Sequence, residues 1–175
     1  KLYRIPLTGL RFFTVYGPMG RPDMAYFKFA KKIIAGEPIQ IYNNGDMMRD
    51  FTYIDDIVTG VENILGNPPG KDKNGAAYKI YNIGNNKPEK LMDFIAVLES
   101  CLGRKARKEF LPMQPGDVYE TYADVRDLME DFGFKPSTTI EEGLKKFADW
   151  FLDYYRTGEN SRCPDSTRND LRAQV

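Results

Sequence analysis

Leu10-Arg-Phe-Phe-Thr-Val-Tyr16 is an apolar run rich in β-branched and aromatic residues, and it breaks abruptly at Gly17-Pro18. Such a run reads as a buried strand. Gly20 and Pro22 keep the next few residues irregular, and a helix begins at about Asp23. Strand, Gly/Pro loop and helix start, in that order, build a ligand crevice at the carboxyl end of a strand in α/β proteins. The unpaired N–H groups of a helix N-terminus favour an anion there. Arg21 stands at the same mouth, so an anionic ligand is the first expectation.

The rest of the chain alternates strands with helices, which argues for an α/β fold. A strand is expected over residues 5–15. A helix runs from Asp23 to Ala35, with Tyr26, Phe29, Ala30 and Ile33 on one face and Gly36 closing it. Ile39 and Ile41 alternate in a short strand, Asn43-Asn44-Gly45-Asp46 is a turn, and Met48–Tyr53 is extended. Asp55 reads as the cap of a helix to about Leu65, with Ile57, Val58, Val61, Ile64 and Leu65 inward. Asn67 to Gly75 is a polar loop that includes Lys71-Asp72-Lys73-Asn74. Tyr78–Ile83 reads as a strand and Pro88 as the first residue of a helix, with Leu91, Phe94, Ile95, Leu98 and Leu102 buried and Gly103 at its end. Lys105 to Met113 is a further strand and Pro115-Gly116-Asp117 a turn. Asp124 reads as the cap of a short helix through Leu128 and Phe132. Pro136 and Thr138-Thr139 introduce a last helix with Leu144, Phe147, Ala148 and Phe151 inward. One folded unit over 1–157 and a frayed polar tail over 158–175 are expected. The first strand reads as central yet begins almost at residue 1, which suggests an upstream half outside this chain.

Composition removes several function classes. Lys+Arg and Asp+Glu balance at 25 each, whereas a nucleic-acid binder carries a basic excess. No apolar run reaches the length of a membrane span and no signal-peptide pattern stands at the start. Cys101 and Cys163 are far apart and fit a reducing, cytoplasmic setting. The 175 residues contain no histidine, so no Ser–His or Cys–His pair forms within this chain. A zinc site is improbable for the same reason, and no metal is expected.

Candidate ligand contacts are polar residues at the ends of these elements. Arg21 is either a forked donor to a phosphate or carboxylate or a solvated loop arginine. Arg49, between a Gly turn and a helix start, can reach a diphosphate or can pair with Asp50 or Asp55. Asp55 and Asp56 read as helix cap and first-turn acid rather than as an acid–base pair. Thr14 projects from the end of the first strand. Gln114 and Asp117 flank a Pro-Gly turn and can hold hydroxyls, or are turn chemistry alone.

Taken in order, the segments Ile5–Met24, Gly45–Asp56, Tyr81–Gly84, Met113–Val118 and Tyr122–Asp124 resemble the extended short-chain dehydrogenase/reductase family. So does the helix with Ile140-Glu141-Glu142-Gly143-Leu144 and Trp150. Within the family the resemblance is closest to the UDP-glucuronate 4-epimerases, NAD-dependent nucleotide-sugar epimerases, and it covers about residues 1–155. It implies that residues 1–157 are a nucleotide-sugar-binding domain with edge strands of a truncated Rossmann sheet.

Carried residue by residue, the resemblance implies that Phe12 lies beside the nicotinamide end of NAD and Thr14 contacts the sugar. Arg21 would meet the hexuronate carboxylate or its surroundings, and Met24 would offer a backbone N–H to the diphosphate. Gln40 to Tyr42 would run beside the uracil, Arg49 would bind the diphosphate, and Asp117 would hydrogen-bond the ribose. Gln114 stands where some relatives have a second diphosphate arginine, and Met19 where many have Trp. The family's glycine-rich cofactor fingerprint is not found, and no tyrosine has a lysine four residues on. No catalytic residue is therefore assigned here. The expected function is the UDP-sugar-binding half of an NAD-dependent 4-epimerase, whose parent is a homodimer and which alone is inactive. A 4,6-dehydratase or decarboxylase of the same family, or a non-catalytic nucleotide-sugar-binding module, is the alternative. The two arginines and one helix terminus are expected to converge on the pyrophosphate.

Overall fold

The computed structural model describes Tyr3, residues 5–72 and residues 75–158. The run expected as one strand over 5–15 is two. β1 (Leu7–Phe12) pairs in parallel with Tyr78–Ile83, with Leu7 opposite Tyr78 and Phe12 opposite Ile83. β2 (Thr14–Tyr16) pairs in parallel with Met48–Tyr53, Thr14 opposite Phe51. Phe13 is the transfer point. Its N–H still donates to the Ile83 carbonyl (3.3 Å), and the next residue joins a different sheet. Continuous β composition cannot reveal such a change of partner, because strand propensity reports local packing rather than pairing.

α1 (Ala25–Ala35) buries Tyr26, Phe29, Ala30 and Ile33 as expected, and also Phe27, and Gly36 closes it in the left-handed conformation. β3 (Pro38–Ile41) leads through a 3₁₀ turn (Tyr42–Gly45) to β4 (Met48–Tyr53). α2 (Ile54–Leu65) ends at Leu65 as expected but starts differently. Its cap is Tyr53, in extended conformation, and Asp55 lies inside the first turn with Asp56. Val58 and Leu65 are exposed, and Gly60 with Ile57 and Ile64 forms the buried face.

β5 (Tyr78–Ile83) is as expected, but Pro88 opens no helix. It begins β6 (Pro88–Lys90), an antiparallel edge strand on β4, where a missing N–H is tolerated. α3 (Leu91–Leu102) starts three residues later with Lys90 as its cap. β7 (Arg107–Phe110), shorter than expected, pairs in parallel with β3. α4 (Arg126–Phe132) is capped by Val125 rather than Asp124, although the Asp124 carboxylate accepts the Arg126 N–H (3.2 Å). α5 (Ile140–Gly158) completes the described fold. Gly158, expected as the first residue of the tail, is the last of α5; the rest of the expected tail, with Cys163, and the loop residues Lys73 and Asn74 lie outside the described residues.

Two apolar cores result. The larger lies among α1, α3, α5 and strands β2, β3 and β4. Tyr16 stands in it, edge-on to Tyr26, Phe51, Tyr53 and Phe94. Phe51 stacks on Phe94 with centroids 3.9 Å apart. The smaller joins α2, α4 and β5 through Ile57, Ile64, Tyr81, Ile83, Leu128 and Phe134. Each fully buried Ile, Leu or Phe contributes roughly 1.5–3 kcal/mol, so both cores hold their strand ends firmly. Among the described residues no helix is long and apolar enough to cross a membrane.

Candidate functional site

The loop between β2 and α1 is shaped by close contact. The Tyr26 hydroxyl donates to the Gly17 carbonyl (3.4 Å) across the loop. A Cβ at Gly20 would stand 1.6 Å from that hydroxyl oxygen, so any larger residue there would force the Tyr26 side chain to move. Met19 adopts a left-handed φ of 56° and its side chain is exposed. Beneath the loop lies a cavity of about 300 Å³, lined in part by Phe13, Val15, Arg21, Met24 and Ile54. Arg21 does not point freely into it. Its guanidinium forks onto Asp23, Nε to Oδ1 at 2.9 Å and Nη2 to Oδ2 at 2.8 Å. That hydrogen bonding holds the Asp23 carboxyl below the usual carboxylate range. Met24 is the cap residue of α1, and its N–H donates to the Arg21 carbonyl (3.1 Å). The N–H groups that a helix leaves without an internal acceptor belong here to Ala25, Tyr26 and Phe27. Thr14 is half-buried at the start of β2, and Phe12 is 54% exposed at the carboxyl end of β1.

A second group forms on β4. Arg49 Nη2 donates to Asp117 Oδ1 at 2.9 Å, a pair drawn from 68 residues apart. Arg49 Nη1 donates to the carbonyls of Met48 (2.8 Å) and Tyr119 (3.0 Å). Asp117 also accepts the Val118 N–H (2.8 Å), and its own N–H donates to the Gln114 carbonyl (3.1 Å). The partner of Arg49 is thus neither Asp50 nor Asp55. The turn at Pro115-Gly116 is present, and Gln114 is exposed beside it. Gln40, exposed on β3, faces Glu109 in the pairing with β7. Beyond that pairing the Leu111 N–H donates to Ile41 (2.9 Å) and the Asn44 N–H to Leu111 (3.0 Å). The register therefore sets the Tyr42 turn beside the segment that runs into Gln114. The expected convergence of the two arginines is not met: Arg49 is not among the residues lining the Arg21 cavity, and each guanidinium is held by its own aspartate.

Asp50, which sequence reasoning did not mark as a site residue, organises this region. It is fully buried. Its carboxylate accepts the N–H groups of Asn85 (2.7 Å), Asn86 (3.0 Å) and Ala123 (3.0 Å) and the Thr52 hydroxyl (3.3 Å). The Asp50 N–H donates to Thr121 Oγ1 (3.1 Å). Side chains alternate along a strand, so β4 sends Arg49 to one side and Asp50 to the other. A charged residue followed by the buried run Phe51-Thr52-Tyr53 was the available signal. Asp56 has a comparable unforeseen task, accepting the N–H groups of Ser137 (3.3 Å) and Thr138 (3.1 Å).

The larger cavity, about 840 Å³, lies elsewhere, between the end of α2, β5 and α4, and includes Asn63, Lys79, Tyr81 and Asp131. It contains none of the candidates, and Asp131 already accepts both Lys79 Nζ and the Tyr81 hydroxyl. Among the described residues no group of three or more His, Cys, Asp or Glu could hold a metal ion.

Residues 1–84 match the model of the NAD dependent epimerase/dehydratase family. Protein CapI of Staphylococcus aureus is 54% identical over 166 residues, covering 89% of this chain and 50% of that protein. UDP-glucuronate 4-epimerase 1 of Arabidopsis thaliana is 47% identical over 164 residues, covering 88% of this chain and 38% of that protein. Among solved structures, UDP-glucuronic acid 4-epimerase from Bacillus cereus, in complex with UDP-glucuronic acid and NAD, superposes with a TM-score of 0.76 at 35% identity. That likeness covers 87% of this chain and 47% of the other. The chain thus spans half or less of the length of these curated relatives.

Proposed function

We propose that this chain, whose residues 1–84 match the NAD dependent epimerase/dehydratase family and whose α/β fold is that of part of an extended short-chain dehydrogenase/reductase, carries the nucleotide-sugar-binding portion of a UDP-sugar 4-epimerase. UDP-glucuronate is the proposed substrate and UDP-galacturonate the product. Arg49 binds the diphosphate and Asp117 the ribose hydroxyls. Gln40 and Tyr42 border the uracil, with Gln114 at the edge of the same segment. Arg21, Met24 and the first turn of α1 face the sugar-phosphate end, and Thr14 the sugar. NAD, when bound, exchanges hydride with the sugar, and Phe12 offers it an apolar ring at the carboxyl end of β1.

The observation that supports this reading best is the Arg49–Asp117 pair, a forked donor and a hydroxyl acceptor brought side by side from distant segments. Two of the chain's tyrosines, Tyr16 and Tyr119, are poor general bases. Burial pushes the Tyr16 hydroxyl far up, and it donates to the Thr139 carbonyl (3.2 Å). The hydrogen bond to Asp46 raises Tyr119 as well. Binding and orientation are what these residues offer, and binding energy drawn from the nucleotide acts at a distance from the reacting carbon. Calorimetric titration of the chain with UDP and with UDP-glucuronate is the test. Saturable binding that Arg49→Glu abolishes is expected. Binding indifferent to that substitution contradicts the reading.

A further inference from the structure

Arg49 is not a waiting cation. It and Asp117 are 16% and 32% exposed, 2.9 Å apart. The Val118 N–H fixes the carboxylate against the guanidinium (2.8 Å). Coulomb attraction at such a separation is several-fold stronger near a protein surface than in bulk water. The other candidate cation differs. Arg21 and Asp23 are 74% and 63% exposed, and pairs of that kind are worth little.

We propose that Asp117 determines ligand specificity by screening Arg49 from simple anions and releasing it to a ribonucleoside diphosphate. The proposal rests on the nucleotide-binding reading above. A phosphate or pyrophosphate that reaches Arg49 must displace the carboxylate. It then leaves one anion beside another, and a carboxylate that has lost its cation. A ribonucleoside diphosphate brings the same phosphates together with vicinal hydroxyl donors. Those hydroxyls give Asp117 new partners as the guanidinium turns to the phosphates. The wrong ligand is rejected by the charge it strands, not by shape. Sites whose polar groups are left unpaired by an incomplete ligand discriminate strongly against it.

The experiment titrates inorganic pyrophosphate and UDP into the chain, its Asp117→Asn variant, and the Arg49→Gln/Asp117→Asn double variant. Asparagine keeps an acceptor for the Val118 N–H. Asp117→Ser serves as a second variant, and thermal unfolding checks that each is folded. Pyrophosphate affinity is expected to rise at least about fivefold in Asp117→Asn, equivalent to ~1 kcal/mol, while UDP affinity falls. The gain must vanish in the double variant. Unchanged or weaker pyrophosphate binding, or a gain that survives loss of Arg49, overturns the screening role. UDP that fails to bind, or binds without Arg49, overturns the nucleotide reading instead, so the two failures are distinguishable.

Discussion

The Asp50 carboxylate and the Ala123 N–H meet at 3.0 Å across 73 positions of the chain, in a place closed to solvent. The same carboxylate holds Asn85 and Asn86 at the carboxyl end of β5. Two segments are thereby fastened to one side of β4, while its neighbour Arg49 fastens Asp117 and Tyr119 on the other. β4 is the axis of the candidate site, and the sequence Arg49-Asp50 divides its two tasks.

Replacing Asp50 by Ala strands three buried or half-buried backbone donors. A buried donor left without an acceptor costs roughly 1–3 kcal/mol. Asp50→Ala is therefore expected to lower unfolding free energy by more than about 3 kcal/mol in a urea titration, and Asp50→Asn by less. A loss below ~1 kcal/mol for the alanine variant would mean that the network contributes little.

Gly84 lies at the centre of the same junction. A Cβ there would stand 2.4 Å from the Ala123 Cβ and 3.4 Å from both Asp50 oxygens. Gly84→Ala is expected to destabilise by roughly 1–3 kcal/mol, the usual cost of overpacking. Pairing it with Ala123→Gly should recover most of the loss in thermal unfolding, because the closest clash is removed.

Glu99 gives the fold a pH dependence. Burial alone raises its carboxyl, but Lys108, the Ala106 N–H (2.8 Å) and Lys105 (3.2 Å) outweigh burial and hold it below its ordinary value. A carboxylate depressed in the folded state stabilises fully above its unfolded pKa, and that contribution disappears as pH falls through the folded value. Urea unfolding from pH 7 down to pH 3 should show a progressive loss, and Glu99→Gln should flatten it. An unaltered slope in the variant would assign the acid sensitivity to other groups.

The helices were largely legible in the sequence because their signals are local. Gly36 and Gly103 close α1 and α3 where their left-handed conformation is needed, and Phe94, Ile95, Leu98 and Leu102 repeat at helical spacing. Pro88 misled because the same fixed φ suits a helix start and an edge strand. The division at Phe13 was invisible, since both halves of the run are β-rich and only their distant partners differ. The pairing of Arg49 with Asp117 was also hidden. Each residue stands out as a candidate alone, but their meeting depends on β4 docking the 117–123 segment. Asp50 left only a weak local signal, a charge beside Phe51-Thr52-Tyr53, and three of its four carboxylate partners are backbone N–H groups, which carry no residue signature.

The most direct test of a nucleotide site at Arg49 and Asp117 is a map of backbone amide shifts as UDP is added to the isotopically labelled chain. The largest changes are expected over residues 47–50 and 114–121, with smaller ones at the start of α1. Changes concentrated around Asn63, Lys79 and Asp131, in the larger cavity, with residues 47–50 and 114–121 silent, would contradict the account.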